Sequence, residues 1–239
     1  MTRISIAGCF VAAVIATVGG SQRVVHAQAG KTGSIKGNIR LKGKAPGNPV
    51  IRMGIDPMCA KLNAGKRPVQ ETVVASLDGN LANVFVRLEG SFPSSPVPTE
   101  PVSIDQQACI YIPRVVGARV GQTLQVRNSD ALLHNVHGHS TSSNVFNVAQ
   151  PIAGTVTKFQ LKQEEVMLRI GCDVHRWMNA FVGIVNNPYF ATTGVAGTYA
   201  IANVPPGAYT IHSWHEQYGV LSQKVRVTAG STSVVDFSY

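Results

Sequence analysis

The stretch Val166-Met167-Leu168-Arg169-Ile170-Gly171-Cys172-Asp173-Val174-His175-Arg176-Trp177-Met178-Asn179-Ala180-Phe181-Val182-Gly183-Ile184-Val185 decides how the chain is read. It opens on an alternating run, Val166, Leu168 and Ile170, and closes on a second apolar run from Ala180 to Val185, so a strand is expected on each side. Between them Cys172, His175 and Met178 recur at three-residue intervals. A tight loop at one end of a sheet can turn a thiolate, an imidazole and a thioether toward one point. A strand cannot, because its successive side chains face opposite ways.

A fourth donor has to come from a distant strand, and Asn128-Ser129-Asp130-Ala131-Leu132-Leu133-His134-Asn135-Val136-His137 offers one. Alternation places Leu132, His134 and Val136 on the inward, apolar face and Asn135 and His137 on the other. Two imidazoles and a thiolate with a weak axial thioether suit copper in both of its oxidation states. Zinc also accepts His, His and Cys; Met178 argues for copper.

Working outward, strands are expected at Ser34 to Leu41, Ala82 to Glu89, Val115 to Val126, Leu132 to Val136, Tyr209 to Trp214 and Lys224 to Thr228, with no long amphipathic helix. The fold class is therefore all-β, built from sandwiches. Ser91 to Pro101 carries Pro93, Pro96, Pro98 and Pro101 and reads as a stiff linker. Asn186-Asn187-Pro188 marks a second break.

The first 29 residues read as a cleaved signal peptide: Arg3, an uncharged apolar run from Ile4 to Val18, and Ala27-Gln28-Ala29 as the cleavage site. Ile6-Ala7-Gly8-Cys9 has the small residues that precede a lipidated cysteine, but only eight residues lie upstream, leaving no apolar stretch to engage export. No later segment is apolar enough to span a membrane, so the mature chain is expected in the periplasm or secreted. An oxidising compartment pairs cysteines. Of Cys59, Cys109 and Cys172, the last sits in a ligand-like setting, so Cys59 and Cys109 are the expected disulfide.

The whole chain carries 21 Lys and Arg against 12 Asp and Glu. Lys31, Lys36, Arg40, Lys42, Lys44, Arg52, Lys61, Lys66 and Arg67 face only Asp56, a balance that suits either an acidic partner or a plain solvated face. Export and the lack of interleaved aromatics argue against nucleic acid. No Gly-x-Ser-x-Gly elbow, His-Glu-x-x-His helix or phosphate loop is present, so enzymatic activity is not expected. Glu216 beside His215 is a weak acid–base pair without an evident pocket. Met53 and Met58 near Cys59 read as gap-filling residues or a soft-metal patch. A second metal site across an interface would draw on His137, His139, His212 and His215.

In its central part, roughly Val102 to Val185, the chain resembles the cupredoxin family, most closely the amicyanin and plastocyanin branch. The resemblance rests on His134-Asn135-Val136-His137, on the Cys172, His175 and Met178 spacing, and on Val120 to Asn128 as the strand approaching the first histidine. It implies a Greek-key sandwich holding one type 1 (blue) copper, with His134 and His175 as equatorial imidazoles, Cys172 as the thiolate and Met178 as the axial ligand. Asn135 would brace the ligand loop. The implied function is single-electron transfer between redox partners such as an acidic cytochrome or a dehydrogenase. Copper storage or delivery, or a structural or carbohydrate-binding module with a vestigial site, are the alternatives. Ile170 stands where the family usually has an aromatic residue, and Arg176 where it has a neutral one. These departures bear on the reduction potential and the partner surface.

Thr192-Thr193-Gly194-Val195-Ala196-Gly197-Thr198-Tyr199 and Val204-Pro205-Pro206-Gly207-Ala208-Tyr209 resemble the carboxypeptidase-regulatory-like, transthyretin-type sandwich, whose opening strands look like Gly33 to Gly37 and Leu81 to Gly90. The implied organisation is a signal peptide (1–29) and a regulatory-like sandwich (30–98 with 188–239) interrupted by the copper domain (99–187). Three serial units are the other parse. Chains combining both modules resemble bacterial proteins labelled plastocyanin-like or methylamine-utilisation.

Overall fold

The structure is a computed structural model that describes residues 31–239 together with Met1, so the expected signal segment lies outside the described residues. The strands run β1 (Gly33–Arg40), β2 (Phe85–Glu89), β3 (Val102–Gln107), β4 (Ile110–Ile112), β5 (Val115–Arg119), β6 (Thr123–Asn128), β7 (His134–His139) and β8 (Phe146–Gln150). They continue as β9 (Val156–Gln160), β10 (Glu165–Gly171), β11 (Asn179–Val185), β12 (Phe190–Thr192), β13 (Thr198–Val204), β14 (Gly207–His215), β15 (Gly219–Val227), β16 (Thr232–Val234) and β17 (Phe237–Ser238). Among the described residues a single 3-10 turn (Met53–Ile55) and one short α-helix, α1 (Pro57–Leu62), follow β1. The chain is all-β.

Four sheets form. Strands from the two ends of the chain build the orders β13-β1-β16, with β17 also on β1, and β12-β2-β14-β15. The central strands build β4-β3-β6-β9 and β5-β11-β10-β7-β8. Each pair of sheets closes on its own core. Ile104, Leu124, Val126, Val136, Leu168, Ile170, Val182 and Ile184 fill the central one; Ile35, Ile39, Val86, Leu88, Ile201, Ile211 and Val227 fill the flanking one. Full burial of such an aliphatic side chain contributes about 1.5–3 kcal/mol, so alternation along each strand fixes which face turns inward.

Two departures from the expected strands have local causes. The run Val115 to Val126 is two strands. Gly121, at φ +86°, and the bond from Gln122 N–H to Arg119 O turn the chain between them. The segment Ile51 to Cys59, expected to belong with the flanking sandwich, instead sends Ile51, Met53 and Cys59 into the central core. Met53 is thus a packing residue, while Met58 is exposed.

The two sandwiches meet at the parallel β5–β11 pair, where Gly117 stands opposite Gly183. The Phe85 and Phe190 rings pack over this pair. A Cβ on Gly183 would stand 2.5 Å from Phe85, and one on Gly117 would stand 2.4 Å from Phe190. Arg114 and Glu216, both largely buried, form a two-bonded ion pair at the joint, which gives Glu216 a structural partner.

Candidate metal centre

The loop from Cys172 to Met178 leaves β10 and returns as β11, and it closes on itself through Met178 N–H donating to His175 O at 2.8 Å. His134 opens β7 on the face of Val136, both fully buried. Together these elements bring donor atoms of His134, Cys172 and His175 within 4.8 Å of one another. Met178 is buried in the same core, at 1 % exposure.

The orientation of the two rings is the informative feature. His134 Nε2–H donates to Asp130 Oδ2 at 2.9 Å, and His175 Nε2–H donates to Asp56 Oδ2 at 3.1 Å. With each outer nitrogen turned to a carboxylate, the inner nitrogens face each other, His134 Nδ1 standing 3.0 Å from His175 Nδ1. Two buried ring nitrogens at this distance share either a proton or a metal ion. Cys172 Sγ lies 3.8 Å from His175 Nδ1. Separations of this size arise when donors share one ion at bond lengths of about 2.0 Å to nitrogen and about 2.3 Å to sulfur. The donors therefore fit a single soft or borderline metal ion.

The surroundings favour a thiolate. Burial alone would push the Cys172 thiol up, but the His134 imidazole and the N–H groups of Asn135, His175 and Val174 outweigh it and hold it below the usual thiol range. Two of those N–H groups, on Asn135 and His175, stand 3.4 Å from the sulfur. Burial likewise opposes protonation of His134, yet its bonds to Asp130 and Cys172 raise it to about 9. Asp130 is lowered because the bond to His134 and the N–H groups of Cys109 and Ala108 overcome its burial. Asp56 is lowered mainly by its bond to His175, with burial opposing and the N–H groups of Cys59 and Met58 assisting.

Asn135 ties the loop to β7. Its side-chain oxygen accepts from Asp173 N–H, and its amide donates to Asp173 Oδ2 and to Asn147 Oδ1. Tyr111 adds a second brace, its hydroxyl reaching Asn135 O at 2.7 Å and Gly171 O at 3.1 Å. Trp177 lies beside the site, its ring centre 5.1 Å from that of His175, and donates Nε1–H to Cys109 O at 2.9 Å.

Cys59 and Cys109 are joined, and Cys172 is free and buried. The disulfide stands against the metal end, with Cys59 Sγ 3.6 Å from His175 Nε2. Asp56 reaches His175 because it caps α1, accepting from Met58 and Cys59 N–H with Pro57 in the first turn. Asp56 and Asp130 were both missed in the sequence. Asp130, four residues before His134, was within reach of a local reading; Asp56, 119 positions from His175, was not.

His137, His139, His212 and His215 do not gather into one cluster. Among the described residues, neither His212 nor His215 belongs to any cluster of metal-capable side chains. His212 Nδ1 bonds Ser222 Oγ at 2.7 Å, and its Nε2 lies 2.9 Å from Glu89 Oε2, out of line for a hydrogen bond. His215 is enclosed by Tyr218 and Tyr239. Their strand carries them to the flanking sandwich, away from β7.

Residues 154–235, about a third of the chain, match the family described as polysaccharide lyase family 4, domain II. The match crosses from β9 of the central sheets to β16 of the flanking ones. No curated protein matches the chain. Similar solved structures include a Cu-containing nitrite reductase from Thermus scotoductus SA-01, at 14 % identity and TM-score 0.32, over 41 % of this chain and 25 % of that one. The chain thus spans a quarter of that reductase. A purple cupredoxin from Nitrosopumilus maritimus is similar at 22 % identity and TM-score 0.30, over 34 % of this chain and 97 % of that one. A Cu(I) amicyanin mutant is similar at 16 % identity and TM-score 0.32, over 41 % and 97 %.

Proposed function

We propose that this chain is an exported blue-copper protein that carries single electrons between redox partners, its copper held by His134, Cys172, His175 and Met178. The observation that carries the reading is the convergence of two buried imidazole nitrogens, turned to each other across 3.0 Å, beside a buried thiol held below its usual range. Copper bound there would supply a one-electron couple between Cu(I) and Cu(II). The chain's part is to keep the donors still. Asp130 and Asp56 fix the two rings, Asn135 and Tyr111 fix the loop, and the N–H groups of Asn135 and His175 hold the sulfur.

Enclosure favours a carrier over storage or delivery. His134, Cys172, His175 and Met178 are all at most 3 % exposed, and α1 with its disulfide covers His175, so releasing the metal requires that cover to open. The same covering segment exposes Arg52, Lys61, Lys66 and Arg67, which supports an acidic redox protein docking over the metal end. The strands of 30–98 and 188–239 would serve as a flanking docking module. Voltammetry of the copper-loaded full chain is expected to give a reversible one-electron wave that Cys172→Ala abolishes. Tightly bound copper with no reversible wave overturns the carrier and leaves storage.

A further inference from the structure

The outer face of β7 carries a second set of donors that the buried centre does not use. His137 and His139 are two apart on one strand and share that face, their rings stacked with centres 3.9 Å apart. Asp173, on the loop after β10, brings its carboxylate 3.0 Å from His137 Nδ1. One ligand atom from each of the three lies within 4.8 Å of the others.

The neighbourhood is shaped around these groups. Gly171 on β10 pairs with His137, and the His139 ring lies over it; a Cβ at Gly171 would stand 2.8 Å from His139 Nε2. Asn147, opposite His137 on β8, donates its amide to Asp173 Oδ2 at 3.0 Å, and Asn135 does so at 3.3 Å. The carboxylate is thus oriented from two strands while remaining half exposed, so an ion can reach it directly from solvent. Arg169, the neighbouring cation, stands opposite His139 on β10 and donates its Nε–H to Asn179 Oδ1 at 2.9 Å.

We propose that His137, His139 and Asp173 form a surface site for a borderline divalent cation, Zn(II) or Cu(II), completed by water. Two imidazoles and one carboxylate are a donor set for such ions, and the open side leaves positions for solvent ligands. The site stands whether or not the buried centre holds copper. Its third ligand is covalently next to Cys172, so a metal here would sit one residue from the buried sulfur.

The test is a zinc titration of the tag-free full chain, first loaded with one equivalent of Cu(II) and freed of excess, read by calorimetry and by metal analysis after gel filtration. One further saturable equivalent of zinc is expected, bound at least about tenfold more weakly by His139→Gln and by Asp173→Asn. Both positions are exposed, so circular dichroism of the variants should match the parent. The proposal is overturned if the parent shows no saturable zinc binding below millimolar concentration, or if both variants bind zinc as the parent does. If copper loading fails, zinc also enters the buried centre, and His139→Gln, which contacts neither Asn135 nor Cys172, identifies the surface equivalent by removing it alone.

Discussion

Among the described residues two places bury histidine, and they do so for opposite ends. At the metal end His134 and His175 each give one nitrogen to a carboxylate and point the other at a common centre. In the flanking sandwich His215, 1 % exposed, accepts Gln217 N–H on Nδ1, leaves Nε2 unpaired and packs between Tyr218 and Tyr239. Burial, with the Arg114 charge adding to it, drives His215 down to about 4, whereas Asp130 and Cys172 carry His134 up to about 9. Burial alone therefore says nothing of role. What decides is whether one ring nitrogen finds an anion, and whether the other is turned toward further donor atoms that can share one ion.

The metal end is assembled from remote segments, so it is the easier half of this comparison to break. Replacing Cys59 and Cys109 together with Ala is expected to cost about 4 kcal/mol, on the loop-entropy scale for a cross-link of this span. It should also speed copper loss to a chelator, because α1 no longer caps His175. Urea denaturation and stopped-flow chelation measure the two effects. Equal chelation rates in parent and variant would detach the disulfide from the site.

The flanking histidine sharpens the comparison through pH. Its native value of about 4 lies below the ordinary 6.5, so between these values the unfolded chain binds a proton that the native chain does not. Stability is then lost as pH falls from about 6.5 to about 4, with a slope of at most about 1.4 kcal/mol per pH unit from this one group. His215→Phe should flatten that part of the profile relative to the parent. Comparing the two curves removes the contribution of the metal-end carboxylates, which both share. A smaller effect is expected from Asp130→Asn, which keeps the shape but removes the anion from His134. Copper affinity should fall about 10- to 100-fold in a competition titration, with the pH profile of His215 unchanged.

The strands that bury a regular apolar stripe are legible in the sequence. Leu168 and Ile170 on β10, Val182 and Ile184 on β11, and Ile211 on β14 all lie in strands where alternation places them. The inward direction of His134 follows from its neighbour Val136 in the same way. Strands that turn little to the core carry no such stripe. β8 buries only Gln150, β9 buries none of its five residues, and β15 buries only Val225 and Val227, so the exposed first half of β15, Gly219 to Gln223, shows no alternation to read. The loop spacing of Cys172, His175 and Met178 is local and can be read from one segment. The carboxylate on His175 arrives through α1 and a disulfide, and no pattern along the chain encodes that meeting.

The central claim is that a thiolate and two imidazoles meet on one copper ion. Adding one equivalent of Cu(II) to the purified full chain and recording its visible spectrum tests this most directly. An intense thiolate-to-copper band that is absent in Cys172→Ala is the expected result. Copper that binds tightly and stoichiometrically without such a band, or a band that survives Cys172→Ala, would contradict it.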